Sequence, residues 1–283
     1  ETELIIGKYF AETKRRNDFV IATKISGSGV PHIRNGSKIT PTAITEALHQ
    51  SLQRLQTDYI DLYQLHWPNR GHYHFRKSWK YNPKVIELDS HYQETSDILG
   101  RLQRHIQEGK IRTIGLSNET AWGTASFLKT STDKNLPRVA SIQNEYSLLC
   151  RWFDLDLAEL SRNENVGLLA YSPLAAGILT GKYIDGAVPK NSRASIKPGL
   201  DGRLSQHIGL PLRAYMNLAK DMKIKPEQLA LAFCLTRPFM TSVIIGATTE
   251  QQLRSALQCV EVKMDKAALD GIQDIYRQYP APM

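Results

Sequence analysis

Short, almost unbroken apolar runs alternate along this chain with longer stretches in which apolar residues recur every three or four positions. The runs are FVIATKI (19–25), YIDLYQLHW (59–67), RTIGLSN (112–118), VASIQNEYS (139–147), VGLLAYSPL (166–174) and SVIIGAT (242–248). Each has the length of a strand, and near-continuous hydrophobicity is how strands buried on both faces of a parallel sheet read. Between them, Thr40-Pro41 predicts a helix with Thr40 as N-cap, Pro41 in the first turn and Ile44, Leu48, Leu52 and Leu55 on one face. Residues 92–108 place Ile98, Leu99, Leu102 and Ile106 at helical spacing, closed by Gly109. Asn118 is placed to cap a helix over 119–130. Further helices are predicted over 152–164, 211–222, 226–236, 249–259 and, capped by Asp265, 266–278.

Strand followed by helix, repeated without a Gly/Pro/Ser-rich linker, predicts an α/β fold with helices on a parallel sheet and a single domain over 1–283. Two longer segments, 68–88 and 183–210, follow strands and carry aromatic and basic residues, where binding groups of such folds sit. Six strands are two short of a closed (β/α)8 barrel, and ELIIGKYFAETKRR at the start reads as a helix entered part-way. The expectation is a barrel whose first two strand–helix units, roughly 50–60 residues, do not appear in the sequence; six strands alone would leave two long apolar edges unpaired.

Composition narrows the function classes. No run of about 18 apolar residues offers a membrane span, and no basic-then-apolar leader follows Glu1. Cys150, Cys234 and Cys259 are widely spaced, with no CxxC; free thiols suit a reducing cytosol, the expected location. The charge is 36 − 28 = +8, with a pI near 9.3. Its basic residues are scattered, with no block longer than Lys14-Arg15-Arg16. That favours a solvated surface plus a phosphate-binding pocket over a nucleic-acid groove, which needs a clustered stripe.

Candidate chemistry collects at strand ends. Lys24 lies within an apolar strand, so its ammonium either snorkels from the strand end or lines a polar pocket. His66 ends the second strand and, alone, reads equally as a packed histidine; His72 and His74 follow, but no set of converging ligands predicts a metal. Ser117-Asn118 and Gln143-Asn144 end the next two strands, where they are either caps or a clamp for a planar amide. In AYSPLAAGILTGKY (170–183) a strand ending in Tyr171 runs into small residues and Lys182, which suits a pyrophosphate. IIGATTEQQL (244–253) turns into a helix N-terminus, another phosphate-binding device. Neither segment is a GxGxxG or Walker loop.

Together IATKISG, LQTDYIDLYQLHWP, GKIRTIGLSNE, IQNEYSLL, LAYSPLAAGILTGKY, NSRASIK and IIGATTEQQL, in this order, resemble the aldo-keto reductases, above all their Tas-like bacterial branch and the potassium-channel beta subunits. The resemblance implies a TIM barrel that binds NADP(H), without a metal, and reduces the carbonyl of an aldehyde or ketone. It implies that Lys24 lowers the pKa of a catalytic tyrosine and that His66 orients the carbonyl. That tyrosine and its partner aspartate would lie upstream of Glu1. Ser117, Asn118 and Gln143 would clamp the nicotinamide carboxamide, and Tyr171 would stack on its ring. Ser172, Pro173, Leu174, Ala176, Lys182 and Arg193 would hold the pyrophosphate, and Gly246, Thr248, Thr249 and Gln252 the adenosine 2′-phosphate. The substrate pocket would draw on 28–39, 68–88 and 194–210, with Trp67 as its wall and Tyr73, Phe75, Trp79 and Tyr81 as further aromatics. Ser255-Ala256 stand where the family often has Glu-Asn, and Gln252 where some branches have Arg, which implies fewer adenine contacts. The alternative function is an NADP(H)-binding sensor or partner subunit with little turnover.

Overall fold

A computed structural model describes all 283 residues. Six strands, β1 (Ala22–Ile25), β2 (Ile60–Leu65), β3 (Ile111–Ser117), β4 (Ser141–Glu145), β5 (Gly167–Tyr171) and β6 (Met240–Val243), form one sheet in sequence order. The pairs β1–β2, β2–β3 and β5–β6 are parallel; the first five predicted apolar runs each supply one strand, whereas β6 lies ahead of most of the sixth and shares only Ser242 and Val243 with it. The helices are α1 (Thr2–Thr13), α2 (Pro41–Leu55), α3 (Leu88–Gln107), α4 (Ala121–Lys134), α5 (Asp156–Glu164), α6 (Arg193–Ile196), α7 (Gly209–Asp221), α8 (Pro226–Leu235), α9 (Glu250–Leu257) and α10 (Lys266–Gln278). No helix is long and apolar enough to cross a membrane.

The chain divides into two compact units, residues 1–74 with 80–142 and residues 75–79 with 143–283. In the first, α2 begins as the sequence predicts, the Thr40 side chain accepting from the Ala43 N–H with Pro41 in the first turn. Its buried stripe is Ile44, Leu48, Ser51 and Leu55, with Leu52 half-buried at its flank. That stripe and Ile98, Leu99 and Leu102 of α3 are buried together with Ile25, Tyr63, Leu65, Ile114 and Leu116 of the strands. Each such side chain contributes about 1.5–3 kcal/mol.

The other face of the same strands is different. Side chains alternate along a strand, and the register Lys24↔Gln64↔Gly115 puts Ala22 and Lys24, Leu62 and Gln64, and Thr113, Gly115 and Ser117 together. This face is small and polar where the helix-covered face is large and apolar, so the chemistry segregates to one side of the sheet.

In the second unit, α7, α8 and α10 bury Leu212, Tyr215, Ala219, Leu229, Phe233 and Ile272, and Asp265 caps α10 by accepting from Ala268 N. Two local expectations need correction. The helix after β3 starts at Ala121 and is capped by Thr120, whose Oγ1 accepts from Gly123 N; Asn118 has a left-handed backbone (φ 49°) and lies outside it. Residues 152–164 break at Leu155 into a short turn and α5, because Leu155 has neither helical nor regular extended dihedrals.

Candidate functional site

The residues singled out from sequence fall in both units. In the first, Lys24 on β1 is half-buried and makes no ion pair, and burial holds its pKa below the usual lysine range. His66 follows β2, its backbone N–H donating to Ile25 O at 2.8 Å. By alternation from Gln64 it projects on the face that carries Lys24. Burial first, and the Lys24 charge second, push the imidazole down to about 4. The two groups therefore share one electrostatic environment, and His66 is neutral at physiological pH.

Ser117 and Asn118 are both about 1% exposed. The Asn118 amide donates to His66 O at 3.0 Å and to Ser117 Oγ at 3.1 Å, which fixes its plane. Asparagine tolerates the left-handed conformation that this orientation needs, and the residue lies ahead of the helix it was expected to cap. Trp67, expected as a substrate wall, is 5% exposed; its indole donates to Ser28 O at 2.9 Å and its ring lies 4.6 Å from the His66 ring. It backs the histidine. Tyr73 and Tyr81 pack edge to face at 5.9 Å.

In the second unit, Gln143 lies on β4 and is half-buried. Tyr171 ends β5 and accepts from Tyr146 N at 3.3 Å; burial, then the Glu145 charge, raise its phenol. After it Ser172, Ala175, Ala176, Gly177 and Gly181 all have positive φ, so the backbone coils tightly through Pro173 and Leu174. Such successive turns leave N–H groups on a concave surface that suits anions. Gly177 (φ 95°) has the Lys182 ammonium lying across it: a Cβ there would sit 2.9 Å from Nζ.

Lys182 and Arg193 are exposed and make no ion pair, whereas Arg213 and Lys197 nearby are bound to Asp185 and Asp201. Lys182 lies across the coiled backbone and 5.2 Å from the Tyr183 ring, and a cation beside such turns suits an anion. The segment after β6 is exposed at Gly246, Thr248 and Thr249. Gln252 turns back on it, Oε1 accepting from Thr248 N at 2.9 Å, and Thr249 caps α9. At the departure from the family pattern, Ser255 donates to Glu227 at 2.8 Å and is 6% exposed. Of the loop aromatics in this unit, Phe75 is 43% and Trp79 71% exposed, Trp79 donating to Met283 O.

Sequence reasoning passed over five charged residues, two glutamates and the three arginines that hold them. Glu119 is held by a two-pronged Arg70, Nη1 donating to Oε2 at 2.9 Å and Nη2 to Oε1. Glu145 accepts from Arg203 Nε at 2.9 Å and Nη2 at 3.0 Å, and also pairs with Arg76. The available signal was the repeat Ser117-Asn118-Glu119 and Gln143-Asn144-Glu145, the same Asn-Glu after each candidate clamp residue. No group of three or more His, Cys, Asp or Glu side chains is placed to hold a metal ion.

Comparison with known proteins gives a consistent result. A sequence profile described as the Aldo/keto reductase family matches residues 1–277. The chain is 40% identical to "Protein tas" of Escherichia coli over 99% of its own length and 82% of that protein. It is 40% identical to an "Aldo-keto reductase" of Babesia bovis, over 85% of this chain and 88% of that one. It is 29% identical to a "Putative voltage-gated potassium channel subunit beta" of Schizosaccharomyces pombe, over 99% of this chain and 77% of that one.

Proposed function

The chain belongs to the aldo/keto reductase family, an oxidoreductase family of TIM-barrel class, and from that premise we propose that it reduces an aldehyde or ketone to an alcohol with NADP(H). The observation that carries this reading is the pairing of an ammonium without a counter-ion, Lys24, with an imidazole kept neutral beside it, His66. When bound, the nicotinamide supplies the hydride. The chain's own residues do the rest. Neutral His66 donates a ring N–H to the substrate oxygen without competing as an acid. Lys24 places positive charge where negative charge develops, and favours the anion of whichever hydroxyl gives that oxygen its proton. Trp67 acts through the position it gives the histidine.

In this reading Ser117, Asn118 and Gln143 orient the carboxamide and Tyr171 covers the ring. Lys182 and Arg193, with the coiled backbone at 172–177, hold the pyrophosphate. Gly246, Thr248, Thr249 and Gln252 meet the adenosine phosphate.

The test is NADPH oxidation with a reactive aldehyde, together with cofactor titration by fluorescence. Arg193→Ala should weaken NADPH at least about tenfold, since a charge-assisted contact to phosphate is worth ~1.5–3 kcal/mol; unchanged affinity removes Arg193 from the site. A second reading, an NADP(H)-binding sensor or partner subunit with little turnover, draws on the channel-subunit relative. Cofactor binding without aldehyde-dependent oxidation would favour it.

A further inference from the structure

The two candidate clamp segments share a glutamate that the proposed chemistry leaves unused. Glu145 is 8% exposed and stands two residues beyond Gln143, on the same face of β4. Arg203 grips it with both prongs and its Nη1 also donates to Leu200 O at 3.1 Å. Arg76 pairs with the same carboxylate and directs Nη1 at Cys150 Sγ, 3.9 Å away. The two arginines belong to the two long segments that follow β2 and β5. Apolar anchoring is uneven: Phe75 and Trp79 are 43% and 71% exposed and Val188 and Ile196 55% and 80%, whereas Leu200 beside Arg203 is 1% exposed.

Both also carry backbone that side chains disfavour. Phe75 and Arg76 have φ near 60°, and Leu200 and Asp201 have φ 49° and 59°. Non-glycine residues stay in that region only when their surroundings over-determine them. The contact common to both arms is the Glu145 carboxylate, beside the burial of Leu200 and the bonds of Trp79 to Met283 O and of Ser205 to Pro282 O. The phenol of Tyr171 lies within electrostatic reach of Glu145, Arg203 and Arg76.

We propose that Glu145 is a positioning residue: its carboxylate ties segments 75–79 and 198–205 to the strand end that carries Gln143, and so sets the geometry around Tyr171. This rests on the reductase reading for its effect on turnover, but not for its effect on the segments themselves.

Glu145→Gln keeps the shape and removes the charge. Trypsin should then cut at Lys77, and at Lys190 and Arg193, about tenfold faster, tracking the opened population. NADPH-dependent aldehyde turnover should fall about tenfold or more in kcat, with a smaller change in KM, as expected for lost alignment; Glu145→Asp should recover part of both. A triple variant, Glu145→Leu with Arg76→Met and Arg203→Met, removes every charge of the triad and should regain the melting midpoint but not the protease resistance or the turnover. Wild-type cutting rates in either segment of Glu145→Gln would overturn the proposal. So would a triple variant that regains turnover together with its midpoint, since the triad would then be packing alone. If Glu145→Gln does not fold, the aspartate and triple variants decide by the same readouts. A wild-type chain that turns over no aldehyde sinks the reductase reading, while the cutting rates still judge the latch.

Discussion

Buried charge is treated in opposite ways at two places in the molecule. Around Glu145 it is paired: one carboxylate, two arginines, and a further carbonyl acceptor on Arg203. At Lys24 it is left uncompensated, and the neighbouring His66, kept neutral by burial and by that charge, supplies no counter-ion. A fold optimised for stability alone has no use for the second arrangement. Sites that break the rule of paired burial are where function is expected. The contrast gives one criterion: a substitution that removes uncompensated charge should cost activity and not stability, and one that removes compensating charge should cost stability at once.

Lys24→Met applies the criterion most directly. Aldehyde-dependent NADPH oxidation should fall by about 10²–10⁴-fold, while cofactor affinity holds and the melting midpoint stays level or rises. A midpoint that falls by several degrees would mean that the ammonium is a structural partner, and unchanged turnover would detach it from the chemistry. Glu145→Gln is the converse. It strands two buried guanidinium groups, and breaking a buried pair from one side costs about 3–5 kcal/mol. Urea unfolding at pH 7 should show it as a lower midpoint; a loss under about 1 kcal/mol would erase the contrast with Lys24, since that is the scale of an exposed pair.

Acid sharpens the same comparison. His66 is held at about 4 in the folded chain against an ordinary 6.5. Below pH 6.5 the unfolded chain takes up a proton that the folded chain refuses, so stability falls as pH drops, and the loss is complete once pH passes the folded value. The sum is at most about 3 kcal/mol. Unfolding midpoints from pH 7 to 4.5 should decline in the wild type and decline less in His66→Gln. Identical slopes would place the histidine in water.

The strands and most helices were legible because periodicity and caps are local. Thr40-Pro41 and Asp265 each state where a helix begins, and each does so in the structure. Lys24 and His66 were legible as anomalies, polar groups at the ends of apolar runs. Asn118 was misread because asparagine is favoured both as an N-cap and in left-handed backbone; only the two residues after it distinguish the cases, and Thr120 outcompetes it. The arginine–glutamate pairs were illegible for a different reason. Arg70 and Glu119 are 49 residues apart and Arg203 and Glu145 are 58 apart, and the arginines sit in segments without periodicity. Nothing local says which of many cations reaches which strand end. The Asn-Glu repeat marks the acceptors but is silent on the donors.

The smallest effect offers the cleanest decision, because its sign is in question. Gly123 lies in the first turn of α4. A Cβ added there would collide with Arg70 Nη2 and Glu119 Oε1, the atoms of the forked pair itself. Two terms oppose each other in Gly123→Ala. Alanine favours the helix by about 0.5–1 kcal/mol. Displacing Arg70 breaks a forked pair to a glutamate whose side chain is 3% exposed, and breaking a buried pair from one side costs more than the helix gains. The net expectation is a destabilisation of about 2 kcal/mol, read from urea unfolding. A variant that is instead more stable than the wild type would mean that only helix propensity acts at this position, and that the arginine reaches Glu119 by a route clear of the glycine.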